Sequence, residues 1–145
     1  MPSNPESRVS SATASRQSAK ALLLADGDVL LVEERHSDGT PFWTLPGGGV
    51  ESDETPTEGL ARELREELDC SVSVDSELAS LYYAHTGPEH TVSKWRVYRC
   101  HHQSRPSPNL RAGIVDAQWV TPSDIPPETL LPVRYLLDTV DLSEV

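Results

Sequence analysis

Three carboxylates at helical spacing, Glu63, Glu66 and Glu67, are the residues of this chain best placed to do chemistry. Positions i, i+3 and i+4 share one face of a helix. Like charges held that close repel, so a counter-charge must offset them. A divalent cation is one such counter-charge, and hard ions such as magnesium take carboxylate oxygens. A solvated helix face balanced by arginine is the other, since Arg62 and Glu66 stand at i and i+4. With Gly48 and Glu54 upstream, the window from Gly48 to Cys70 reads as a metal-bearing phosphate site.

The elements that must position these residues carry clear signals. Thr55, Pro56 and Glu58 form a capping box with proline at the first helical position, which predicts a helix start. Leu60, Leu64 and Leu68, with Ala61, make an apolar stripe for the core. The Glu63/Glu66/Glu67 face lies about 120° from that stripe, so one side can be buried while another presents carboxylates. Gly59 falls on the carboxylate face, and its small size is expected to leave room beside the metal site. Before the helix, residues 19–25 and 29–32 read as strands across an Asp26-Gly27-Asp28 turn. Residues 33–41 read as a loop, and 42–45 as a short strand delivering the chain to a glycine loop. After the helix, strands are expected at 70–74, 77–85, 91–101 and 116–120. A closing helix is expected over 130–140, with Pro132 near its start. Periodicity alone gives a mixed α/β protein.

Gly48, Glu54, Arg62, Glu63, Leu64, Glu66 and Glu67 stand in the register G-x5-E-x7-R-E-U-x-E-E-x-G-U, where U is a bulky aliphatic. The chain thereby resembles the Nudix hydrolase family. The flanking runs Phe42 to Glu51 and Trp119 to Ile125 resemble the family's approach to the box and its late strand, so the likeness covers roughly residues 18 to 140. Two positions depart: Asp69 replaces a glycine that ends the helix in a left-handed conformation, and Cys70 replaces an aliphatic. Asp reaches that conformation at modest strain, so a small stability loss is expected with the chemistry unchanged.

The resemblance implies an α/β/α sandwich with a mixed β-sheet between helices. It implies hydrolysis of a nucleoside diphosphate linked to another moiety: ADP-ribose, a dinucleoside polyphosphate, or an NTP or dNTP. The cofactor implied is Mg2+, with Mn2+ as a substitute, because the transition state spreads charge over phosphoryl oxygens. Glu63, Glu66 and Glu67 become the metal ligands and the candidates for handling the attacking water, with the Gly48 carbonyl as a further ligand. Glu51 is a candidate ligand through water. Glu54 and Arg62 become a structural ion pair between loop and helix. A further acid from a late loop falls to Asp116 or Glu89. A catalytically silent domain that senses a nucleotide is the alternative; such domains lose box glutamates, and this chain keeps them.

Composition narrows the partners. The net charge is −11, with ten arginines and two lysines, Lys20 and Lys94. That argues against non-specific nucleic-acid binding and makes an anionic substrate dependent on cations. It fits either a salt-adapted protein or an ordinary acidic one. Candidate phosphate contacts are Arg35, Lys94, Arg96 and Arg111, and candidate base-stacking residues are Trp43, Tyr83 and Trp95. His36, His85, His90, His101 and His102 show no metal-binding spacing and read as surface or loop residues. No apolar run reaches the ~20 residues of a membrane span. Two cysteines without C-x-x-C spacing fit a reduced, cytoplasmic protein. Residues 1–17 read as a disordered tail, and 18–145 as the domain, acting on a small nucleotide as a monomer or homodimer.

Overall fold

The structure, a computed structural model, describes residues 14–85 and 91–145. Strands β1 (Ala14–Ala25) and β2 (Asp28–Arg35) form a hairpin. Its two-residue turn places Asp26 and Gly27 at φ 53° and 83°, the paired positive angles that match the twist of the strands. The two strands stay bonded only at Leu24–Val29 and Ala25–Asp28. They then diverge and take different partners. On one side β1 pairs in parallel with β6 (Thr91–His102), and on its other side it pairs antiparallel with β4 (Gly47–Gly49). Strand β2 pairs with β3 (Pro41–Thr44) and β7 (Asp116–Val120). Strand β5 (Val72–Ala84) completes the order β3-β2-β1-β6-β5, with β4 and β7 off this path. The result is a mixed sheet that opens like a fork beyond the hairpin turn.

Alternation along β1 supplies a core to each face. Ala19, Ala21 and Leu23 join Leu60, Leu64 and Leu68 of helix α1 (Pro56–Leu68) in one apolar cluster. Leu22 joins Val133, Leu136 and Leu137 of helix α2 (Leu131–Thr139) in the other. This is the sandwich anticipated from the resemblance. No helix among the described residues is long and apolar enough to cross a membrane.

Several boundaries differ from the sequence reading. Residues 14–17 of the expected tail are strand, paired with β6 from Ala14 to Gln17; residues 1–13 lie outside the described residues. Strand β2 runs on through Arg35, beyond its apolar stretch. The expected glycine loop is strand β4, because Gly47, Gly48 and Gly49 pair with Lys20, Ala19 and Ser18. The two strands expected at 70–74 and 77–85 are one, β5, with register shifts around Glu77.

Candidate active site

Helix α1 begins where its cap residues dictate. Thr55 Oγ1 accepts from Glu58 N at 3.2 Å and Glu58 Oε1 accepts from Thr55 N at 2.8 Å. It ends at Asp69 in the left-handed region, φ 48° and ψ 43°, with the Asp69 N–H donating to Arg65 O and Leu64 O. Between these ends, Arg62 gathers the outer Glu54 and Glu66 and also reaches Glu63, which lies between the two sets. Its Nη2 and Nε donate to Glu54 at 2.7 and 3.1 Å, and Nη1 donates to Glu63 Oε1 and Glu66 Oε2 at 3.1 Å each. Nη2 also reaches the Gly49 carbonyl, tying helix to β4. The guanidinium and the Glu51 N–H hold the Glu54 carboxyl down at about 2. Gly59 accommodates this pair: a Cβ there would stand 2.8 Å from Glu54 Oε1. The room expected beside the metal site is filled by the loop carboxylate.

The inner carboxylates are in a different state. Glu67 is 7% exposed and accepts a hydrogen bond from Gly47 N at 3.0 Å. Burial pushes its carboxyl up to about 8, with Glu34 and Glu63 adding to the rise, while Lys20 and the Gly47 N–H oppose it. Glu34 is raised as well, first by burial and then by Glu63, again against Lys20. Glu63 seats against Gly48, where a Cβ would stand 2.7 Å from its carboxylate. Only glycine permits that approach.

Glu34 did not emerge from the sequence reading, which ended the strand at Val32. The signal was there in the alternation: Leu30 and Val32 point into the α1-side cluster, and Glu34 continues that face.

Glu34, Glu63 and Glu67 line a cleft of about 300 Å³ in the opened fork of the sheet. Arg16, Ser18 and Lys20 enter it from β1, Phe42 and Thr44 from β3, and Tyr83, His85 and Trp95 from β5 and beyond. The Tyr83 ring lies 5.8 Å from Trp95 and 4.6 Å from His85, and His85 Nε2 is 2.7 Å from Ser93 Oγ. Burial, then Arg16, Lys20 and His36, lowers the His85 pKa. His36 stacks on Phe42 at 4.2 Å. His36 and His85 sit in the connecting segments just after β2 and β5, as expected of loop residues, and both line the cleft.

Other sequence candidates fall elsewhere. Glu66 is 54% exposed, off the cleft lining and tied to Arg62. Arg35 bonds the Gly39 carbonyl in the segment joining β2 to β3, and Arg96 faces Glu77 at 3.3 Å. Lys94 alternates away from Ser93 and Trp95, which face the cleft side. Trp43 packs against the α2-side cluster. Arg111 sits in an exposed turn, and Asp116 bonds its own strand through Ala117 N and Gln118 Nε2. None of these lines the cleft. Glu89 and His90 lie outside the described residues.

The sequence model of the NUDIX domain matches residues 14–138. The chain belongs to the NUDIX domain family. It is a Nudix-type hydrolase. It is 33% identical over 126 residues to a MutT-like protein of Streptomyces ambofaciens, covering 85% of this chain and 74% of that one. It is 36% identical over 78 residues to the CTP pyrophosphohydrolase of Escherichia coli K12, covering 53% of this chain and 58% of that protein. The crystal structure of a MutT NUDIX hydrolase from Burkholderia pseudomallei superposes with a TM-score of 0.76 at 25% identity, covering 88% and 99% of the two chains.

Nudix hydrolases generally use divalent metals. The donor set here suits a hard cation: three carboxylates crowd one wall, and burial raises the pKa of two of them, Glu34 and Glu67, which a bound cation would offset. Among the described residues, no three His, Cys, Asp or Glu side chains already converge at ligating spacing. Arg62 draws Glu63 and Glu66 toward itself.

Proposed function

We propose that this Nudix chain is a divalent-cation-dependent pyrophosphohydrolase acting on nucleoside diphosphates linked to a further moiety, nucleoside triphosphates first among them. The observation that carries the reading is a single cleft with carboxylates along one wall and aromatic rings near another. A nucleotide polyphosphate brings a polyanion that needs metal and a base that needs a flat apolar surface. The similarity to a CTP pyrophosphohydrolase over about half of this chain favours the triphosphate class.

Glu34, Glu63 and Glu67 would hold magnesium, or manganese in its place, with the Gly48 carbonyl beside them and Glu66 at the rim. The bound ion supplies charge neutralisation for the phosphoryl oxygens and acidifies water. The chain does the rest. Gly47 N–H fixes Glu67 Oε1, leaving Oε2 to take an ion or a proton. Arg62 holds Glu63 and Glu54 in one network, so loop and helix keep a common register. Tyr83, partly buried at the cleft wall, offers a face for the base. The retained box carboxylates speak against a silent nucleotide sensor.

A release assay for phosphate and pyrophosphate over NTPs, dNTPs, ADP-ribose and dinucleoside polyphosphates tests this. The expected result is turnover of triphosphates with Mg2+ that vanishes with chelator. No turnover of any class, or turnover that survives chelation, would overturn it.

A further inference from the structure

Lys20 carries a charge into the cleft where Glu34 and Glu67 are its electrostatic neighbours, yet neither closes on it as an ion pair. It sits on β1 and is only 8% exposed. Its Nζ makes one hydrogen bond, a long one of 3.4 Å to the Gly47 carbonyl, and lies 4.8 Å from the centre of the Trp95 ring. An ammonium has three donors, so two stay unused. Among the described residues it forms no salt bridge. Charges this deep are almost always paired and hydrogen-bonded.

A second group in the same cleft is short of a partner. Thr44 is 1% exposed, and among the described residues its Oγ1 has no hydrogen-bond partner. Thr44 and Lys20 both line the cavity. The cavity thus holds two kinds of unmet demand. Its carboxylates call for a cation, while an ammonium and a hydroxyl call for an acceptor. A metal ion alone answers only the first. A diphosphate answers both, because it brings anionic oxygens alongside the metal.

We propose that Lys20 is a substrate-binding residue whose ammonium takes a phosphoryl oxygen of the diphosphate, with the Thr44 hydroxyl as a second donor. This role replaces the phosphate contacts expected from Arg35, Lys94 and Arg96. It rests on the pyrophosphohydrolase reading for the identity of the anion, although the contact itself needs no turnover.

The chain has only two lysines, so lysine-selective 13C labelling gives two signals, and Lys94→Arg leaves Lys20 alone. Inorganic pyrophosphate is titrated with magnesium into the full-length wild type and into Lys94→Arg. The Lys20 side-chain signal should move along a saturable curve while that of Lys94 stays still. Lys20→Met should weaken pyrophosphate binding by about tenfold or more, and Lys20→Arg by much less. In a nucleotide assay Lys20→Met should raise KM, whereas a merely structural lysine would lower the melting temperature without moving KM. A motionless Lys20 signal, equal movement of both lysines, or Lys20→Met binding within twofold of wild type would overturn the proposal. If Lys20→Met does not fold, the wild-type titration decides alone. A wild type that binds pyrophosphate through Lys20 but hydrolyses nothing would overturn the hydrolase reading and leave this one standing. Turnover with a silent Lys20 would do the reverse.

Discussion

Glu66 and Glu67 are neighbours in sequence and opposites in state. Glu66 is more than half exposed and shares the Arg62 guanidinium with Glu54 and Glu63. Glu67 is buried on the Gly47 N–H, with a carboxyl raised to about 8. One step of 100° around the helix separates the two environments. In the outer cluster an arginine already partly offsets the carboxylates, and Glu54 stays ionised far into acid. In the inner cluster, Glu34 and Glu67 feel only Lys20 as an opposing side-chain charge, and burial raises both. The outer set holds the loop to the helix; the inner set is where an added ion would gain most.

The widest difference is expected in turnover. Glu67→Gln should lower the Mg2+-dependent rate by roughly a thousandfold with the fold intact, and Glu66→Gln by about tenfold less than that. Steady-state kinetics of the two variants check this. Equal losses would erase the inner–outer distinction. Arg62→Ala removes the cation from three carboxylates at once. Its melting temperature should fall by roughly 5 °C or more, and activity should fall with it; an unchanged melt would remove its structural role.

The pH dependence of stability separates the clusters next. A carboxyl raised from 4.5 to about 8 on folding favours the fold fully below 4.5 and loses that contribution as pH rises through 8. Glu34 shifts in the same direction. Glu54 is lowered, so its contribution is lost only as pH falls from 4.5 toward 2. From pH 5 to 8, then, the chelator-treated protein should lose a few degrees of melting temperature. Glu67→Gln should flatten that slope, and magnesium should restore the loss at pH 8. A slope unchanged in Glu67→Gln would contradict the assignment. The smallest effect is at the helix end: Asp69→Gly relieves a left-handed aspartate and should gain about 1 kcal/mol without altering activity, as denaturant unfolding would record.

The outer cluster and the helix beneath it were legible because they are local. Thr55, Glu58, Leu60, Leu64 and Asp69 act through neighbours within a turn or two, and the sequence displays those spacings directly. The inner cluster is not local. Glu34, Lys20 and Trp95 meet only because β1 and β2 part after two residue pairs and open the fork. The side to which Arg35, Lys94 and Arg96 point depends on strand register, and each lands one residue away from a position that faces the cleft side. The polar segment 33–35 looked like a loop because it lacks apolar residues, yet it is held as strand by β3 and β7. Even β4, three glycines with no side-chain pattern, is set by its pairing with β1 and by hydrogen bonds linking Gly47 and Gly49 to helix α1.

Cation binding by the inner carboxylates is tested most directly by titrating Mn2+ into the metal-free protein and following the free ion by electron paramagnetic resonance. Wild type and Glu66→Gln should bind manganese within several-fold of each other, while Glu67→Gln should bind at least about tenfold more weakly. Wild type that binds no manganese, or Glu67→Gln that binds it as tightly as wild type, would contradict the central claim.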